Sequence, residues 1–468
     1  MKEKLKRIWK PAAIVIPFVL GMIGFGIAGE PVLQAIYKCI CLYGMGHSDA
    51  PANLLIELAR WLAPLATAGS VVLVVKTLRR HAGGILARWT GKSVAVYGPE
   101  EEKAALLKEL GIRGIDMNKR PMKAHRYILL GGETENLDFF RNHLAKEGKE
   151  VYLKCQALPA LASDRANLHL FCPEETAARL FWQEHCLYRQ SVECGHRMSV
   201  VLLGFGKLGR ELLLSGLQNN IFDANQHVEY HVFGEEEGFL QVYHECGQIS
   251  DPIVFHAESW KEAAELLQQA GMVIVARQEG QLALLRELTL MLPGKQIHVL
   301  GAQPDGLALM AGQAPLVCFD WKKEAMKPAN ILSDRLYRYA KRINLRYAHL
   351  YGGVEENDET CDLEWNRLDT FTRYSNLSAA DYHAIQLQML DGEECTPEKL
   401  EWLAELEHIR WNRYHYLNNW VCGMPENGKN KDMVKRIHQS LRPYAELSES
   451  EREKDRENIR ILLQLDQE

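Results

Sequence analysis

The 468-residue sequence has no CxxC pair, and none of its eleven cysteines falls with histidines at zinc-ligand spacing. A metal site is therefore not expected, and the thiols read as reduced cysteines of an intracellular body. Cys39 and Cys41 stand too close in the chain for an ordinary intrachain disulfide. There is also no basic stripe. At a net charge of −6 the chain lacks the electrostatic footprint of a nucleic-acid binder. A catalytic set is missing too. The sequence holds no nucleophile elbow, and no acid–base pair can be placed beside its glycine turn.

What the sequence does have is the stretch Ser199-Val200-Val201-Leu202-Leu203-Gly204-Phe205-Gly206-Lys207-Leu208-Gly209-Arg210. Val200 to Gly204 is apolar without alternation, as in a strand covered on both faces. Gly204, Gly206 and Gly209 follow as G-x-G-x-x-G, leading into a helix over Leu208 to Leu217. The first glycine permits a tight turn, the second lets backbone N–H groups approach a pyrophosphate, and the third lets helix pack on strand. The helix N-terminus adds partial positive charge. Gly204, Gly206, Lys207 and Gly209 are thus candidate cofactor-binding residues for NAD or another adenine nucleotide. The acid that would grip a ribose is displaced. The next strand ends Val232-Phe233-Gly234-Glu235, so Glu235 stands one place later than expected.

The amino-terminal eighty or so residues differ in character. Lys2, Lys4, Lys6, Arg7 and Lys10 precede Pro11 to Gly29, which carries no charge. A second apolar segment runs from Leu54 to Val75, with Glu57 and Arg60 near its start, and Lys76, Arg79, Arg80, Arg88 and Lys92 follow it. These lengths and flanks predict a transmembrane hairpin in residues 1–82, with spans at about 11–29 and 54–75 and both termini cytoplasmic. The expected location is the inner membrane, with membrane lipid as a partner. A cleaved signal peptide plus one anchor, or a buried hairpin, are the alternatives. Gly21, Gly24, Gly26 and Gly29 offer a smooth face for close helix packing. Residues 33–43 suggest a short helix, and no T-V-G-Y-G-like filter is present.

Alternating strands and helices fill residues 92–325. Strands are expected at Val94 to Gly98, Tyr127 to Leu130 and Val151 to Leu153, with the run Leu168 to Phe171 leading into the next unit, then at Val228 to Phe233, Ile253 to His256, Met272 to Ala276 and Ile297 to Leu300. The pattern implies parallel sheets with right-handed crossovers. The unit at 92–195 retains only Gly98 of the phosphate turn, and Glu100, Glu101 and Glu102 occupy its helix start, where a phosphate would be repelled. The unit at 196–325 carries the glycine turn. On Gly204, Gly206 and Gly209, residues 92–325 resemble tandem TrkA-N (Rossmann-type) units of bacterial potassium-transport regulators. That resemblance implies ligand control of a membrane segment, usually in a homo-oligomer.

Residues 326–468 read as helical. Leu336, Ala340, Ile343 and Tyr347 form a stripe at helical spacing, and 355–362 reads as an acidic loop. Glu407, Arg410, Trp411 and Tyr414 share one side of a helix from Pro397 to Asn418. Ser448 with Glu451 reads as a capping box. Stacking aromatics (Trp411, Tyr414, Trp420) beside Arg410 and His408 suit an adenine-and-phosphate ligand. The alternative is that Glu407 and Arg410 neutralise each other while the tryptophans fill a small core. The run Leu403 to Trp411, with Trp420, His438, Pro443-Tyr444 and Lys454-Asp455-Arg456 in order, resembles the ryanodine-receptor repeat (RyR) domain over about 395–465. The whole chain then resembles bacterial two-span membrane proteins with TrkA-N and RyR domains. This implies recognition of a nucleotide-derived small molecule, in some cases in antiviral signalling. Arg373, Asn376, Glu407, His408, Arg410, Trp411, Tyr414, Trp420 and Tyr444 are the ligand-binding candidates.

The expected fold is thus an α-helical transmembrane hairpin, tandem α/β Rossmann-like units and an all-α RyR domain. The function that joins these parts is a ligand sensor controlling an oligomeric, channel-like membrane bundle. A membrane-anchored NAD-linked enzyme and a scaffold with vestigial nucleotide folds are the alternatives.

Overall fold

The computed structural model describes residues 2–44, 53–64, 91–118, 122–156, 167–236, 238–301, 315–332, 335–426 and 428–466. The chain divides into two compact units, residues 1–93 with 111–115, and residues 94–110 with 116–468.

In the first unit, helix α1 (Lys2–Ile27) packs on helix α2 (Val32–Tyr43), and a further helix occupies 54–64. Phe25, Ala35, Cys39, Leu42, Ile56, Ala59 and Ala63 form a buried core. Two of the four glycines on the expected smooth face serve this packing. A Cβ on Gly21 would lie 2.8 Å from Cys39 Sγ, and one on Gly24 would lie 2.7 Å from Ile56 Cγ1. Gly26 and Gly29 approach nothing.

The two-span hairpin at 11–29 and 54–75 is corrected by this arrangement. Among the described residues no helix is long and apolar enough to cross a membrane. The inner-membrane location with cytoplasmic termini, which rested on those spans, is corrected with them. Helix α1 stops at Ile27, ahead of the left-handed backbone of Gly29 (φ +82°). Glu57 and Arg60 pair at 2.9 Å within the 54–64 helix, and residues 65–75 lie outside the described residues. Part of the apolar content that suggested spans is used to pack three helices together.

The second unit holds two parallel sheets. In one, β1 (Val94–Tyr97), β2 (Arg126–Leu129), β3 (Glu150–Lys154) and β4 (Leu168–Phe171) pair in chain order. In the other, β5 (Arg197–Leu203), β6 (His227–Phe233), β7 (Ile253–His256), β8 (Met272–Val275), β9 (Ile297–Leu300) and β10 (Leu316–Phe319) lie in the order β10-β9-β8-β5-β6-β7. Counted within the sheet this is 3-2-1-4-5-6, the doubly wound dinucleotide-fold order, whose switch point lies between β5 and β8. The strands are apolar on both faces because helices cover both. Val200, Leu202, Tyr230 and Ile274 face one core, Val201, Leu203, Val273 and Val275 the other.

Helices α3 (Pro173–Glu184) and α4 (Lys207–Asn219) pack together on the first of these cores. The C-terminal helices follow: α5 (Arg335–Gly352), α6 (Asp358–Arg367), α7 (Thr370–Leu390), α8 (Pro397–Tyr416) and α9 (Glu449–Leu465). The expectation of an all-α region is corrected in one respect. Val421–Cys422, Lys431–Asp432 and Ile437–His438 form a small three-stranded sheet. The expected acidic loop is largely helix α6, begun by an Asn357–Thr360 capping box. Its acids pair with α5: Asp358 with Arg342 at 3.0 Å and Asp362 with Lys341 at 2.7 Å. The box expected at Ser448 does not form, because the Ser448 hydroxyl meets Ser450 while Glu451 turns to Ser440 and Lys454.

The helical region is joined to the six-stranded sheet through buried polar contacts. Arg413 of α8 donates to the Leu217 carbonyl in the last turn of α4 (3.0 Å) and pairs with Asp251 (2.7 Å), both side chains being almost inaccessible. Asp251 also accepts from Val228 N and Gln226 Nε2. Tyr382 donates to the Ile221 carbonyl at 2.6 Å. Removing one partner of such a pair leaves the other charged and buried. Arg413→Ala is expected to cost about 3–5 kcal/mol in urea unfolding, and a loss below about 1 kcal/mol would show the pair is not buried in solution.

Candidate functional site

The glycine turn sits where β5 gives way to α4. Gly204 has φ +104°, and a Cβ there would lie 2.7 Å from the Arg277 backbone nitrogen at the end of β8. A Cβ on Gly209 would collide with the Gly204 carbonyl oxygen. These two glycines are therefore required by the crossing of strand and helix. Gly206 differs: it caps α4 in extended conformation, is exposed, and a Cβ on it would meet nothing within 4 Å. The space over it is open to a phosphate, with the N-terminus of a 13-residue helix behind it.

Phe205 anchors the turn from below. It is 4% exposed and packs edge-on against Phe239 and Phe255, with centroids 5.5 and 5.0 Å away. Its close approach also explains the displaced acid. A Cβ at residue 234 would lie 2.7 Å from Phe205 N and Cβ, so glycine is needed there and Glu235, which is exposed, comes one place later. Lys207 and Arg277 are exposed beside the turn.

The residues expected to bind ligand in the helical region are mostly engaged with one another. Glu407 and Arg410, each 1% exposed, form a two-pronged pair at 2.8 Å. Asn458 donates to the Glu407 carboxylate, and Arg410 to Ser378 Oγ. His408 contacts the Arg442 carbonyl at 2.9 Å and Asp455 at 3.2 Å, while burial pushes the Asp455 carboxyl up to about 6. Trp420 stacks on Phe371 at 4.9 Å, and Trp411 lies against His415 at 4.0 Å. Tyr444 donates to Glu401, and Arg373 donates to the Trp365 and Asn366 carbonyls at the end of α6. Asn376 is half-buried on α7. Tyr414 donates to the Phe371 carbonyl and also borders open space.

That space is a cavity of about 990 Å³ bordered by β2–β4, α3, α4 and helices α5–α8. Of the candidates named from the sequence, Tyr414 is the one that lines it. The sequence reading missed polar groups that line it, among them Glu211, Ser215 and Gln218 on α4, Arg179 on α3, and Tyr374 and Asp381 on α7. A signal was present in Ser378-Ala379-Ala380-Asp381, where a charge stands among small residues inside a helix. Asp381 accepts from Asn219 at 3.1 Å and Gln183 at 2.6 Å, and Arg179 lies 3.3 Å away.

Glu211 is the distinctive group. Burial, reinforced by Glu175 and Glu174 of α3 and opposed by Arg210 and Lys207 of its own helix, pushes its carboxyl up to about 8. It is protonated at neutral pH in the folded chain and ionised in the unfolded one.

No protein-family model matches the chain, and no curated protein matches it. The expected assignment to two-span TrkA-N and RyR proteins is therefore corrected: no family match supports it, and no described helix provides a span. Among solved structures the chain is similar to the crystal structure of a dipicolinate synthase subunit from Bacillus halodurans. Identity is 10% and the TM-score 0.24, over 50% of this chain and 94% of that one. The Rossmann-like assignment rests on strand order and the glycine turn.

A pH dependence follows from Glu211. A carboxyl whose folded value lies above its unfolded 4.5 makes the folded state hold the extra proton, so stability falls as pH rises between the two values. The difference in unfolding free energy between the native chain and Glu211→Gln is expected to grow in favour of the variant from pH 5 to about pH 8. A difference that stays flat over that range would rule out a raised Glu211.

Proposed function

We propose that this chain is a ligand-binding receptor whose six-stranded sheet takes a phosphate-bearing adenine nucleotide at the glycine turn. One observation carries the reading: Gly206 stands exposed and unobstructed at the N-terminus of α4, beside the switch point of a doubly wound sheet. Backbone N–H groups there address a pyrophosphate, and Lys207 and Arg277 supply positive charge on either side. Glu235, carried past Gly234, is the group within this arrangement that would meet a ribose hydroxyl.

Binding is read by the helical region. Helix α4 is held at its first turn by the glycine crossing and at its last by Arg413 of α8. A ligand that orders the first turn thereby acts on an element to which α7 and α8 are tied by buried hydrogen bonds. The groups gathered at the turn hold charge and shape and do not form a nucleophile–base pair, which favours recognition over turnover.

The test is binding of NAD and ADP-ribose by isothermal titration to the full chain and to Gly206→Asp. The variant places a carboxylate where the pyrophosphate would lie. Loss of at least about tenfold in affinity is expected, with the unfolding midpoint unchanged because the added side chain meets open space. Equal affinity in the two proteins, or no binding of either ligand to the native chain, overturns the reading.

A further inference from the structure

We propose that the cavity on the flank of α4 is a second binding site, for a purine nucleoside whose base presents a hydrogen-bond donor beside an acceptor, read by the carboxyl group of Glu211. The site is separate from the glycine turn. Glu211 lies one helical turn past Lys207, on the side of α4 that faces α3 and α7 and away from the sheet.

The argument begins with pairing. Six carboxylic acids line the cavity, and five have a cationic or histidine partner. Asp381 and Glu175 lie at Arg179 (3.3 and 3.9 Å), Asp358 at Arg342 and Asp362 at Lys341 (3.0 and 2.7 Å), and Glu150 meets His169. Glu211 has no hydrogen bond or ion pair among the described residues. A half-buried carboxyl that borders a cavity without a partner, while the five other acids around it are paired, is costly unless something else meets it. Water can meet it loosely; a ligand edge meets it with fixed geometry.

The chemistry of the missing partner follows from the state of the group. Held protonated, Glu211 offers one O–H donor and one C=O acceptor on the same plane. The complementary edge carries an acceptor next to a donor, as the ring nitrogen and amino group of adenine do. An ammonium ion, which offers donors alone, would leave the O–H unmet. The walls agree with a flat ring: Tyr374, Phe371 and Tyr414 border the same space, and aromatic faces take a base by stacking. A volume of about 990 Å³ holds a ligand of nucleoside size with room for attached groups.

Adenosine, which carries no phosphate and so makes no demand on the glycine turn, is the probe. Isothermal titration of the full chain is expected to show adenosine binding that Gly206→Asp leaves unchanged, so the two sites fail or succeed independently. Glu211→Gln keeps a donor and an acceptor and is expected to bind within about threefold of the native chain, while Glu211→Leu loses at least about tenfold. N6,N6-dimethyladenosine, which lacks the amino donor, is expected to bind the native chain at least about tenfold more weakly than adenosine. That comparison needs no variant to fold. Failure of adenosine to bind the native chain, equal affinity of Glu211→Leu, or equal affinity for the dimethylated base overturns the proposal.

Discussion

The buried guanidinium of Arg413 holds the second unit together. It reaches from α8 to the Leu217 carbonyl in the last turn of α4 and to Asp251 at the edge of the six-stranded sheet. A cation at a helix C-terminus is favourable against the aligned peptide dipoles. Here the same group also cancels a carboxylate that Val228 N and Gln226 bind from the sheet side. Neither charge is accessible, so neither tolerates separation from the other. The helical region and the dinucleotide-type sheet therefore behave as one packed body along this seam.

Helix α4 lies at the centre of that body. Its first turn is set by Gly204 and Gly209, its flank borders the large cavity, and its last turn is gripped by Arg413. Any group that loads one of these three places does so on a rigid element shared with the other two. Packed helices of this kind move as units because their side chains interdigitate at near-crystalline density. The aromatic and charged residues of α8 and of the turn that follows it have a different part. Glu407 with Arg410, His408 with Asp455, and Trp420 with Phe371 satisfy one another and make the framework on which the cavity rests.

Much of the α/β architecture was legible because covered parallel strands write themselves as short apolar runs between turns. The runs at Val94, Tyr127, Val151, Val228, Ile253, Met272 and Ile297 all became strands, and the run at Leu168, read only as a lead into the next unit, is a strand as well. The sixth strand of the second sheet, Leu316–Phe319, was not read, because four residues with a cysteine among them carry little periodic signal. The apolar N-terminal segments were misread because hydropathy alone does not distinguish a span from helices that bury one face on each other. Gly21 against Cys39 and Gly24 against Ile56 reveal the second case only once the helices are placed. The Ser448 capping box failed for a similar reason: its glutamate found Ser440, eleven residues back, closer to hand.

The sequence by itself determined the strand-and-helix alternation and the glycine turn. Those features depend on neighbours in the chain, whose spacing is covalent. Tertiary structure alone decided that Glu211 faces a cavity unpaired, that Arg413 meets Asp251, and that Glu407 and Arg410 are consumed by each other. Such pairings join positions far apart in the chain, and a carboxylate's environment, which sets both its charge and its partner, exists only after the chain has closed around it.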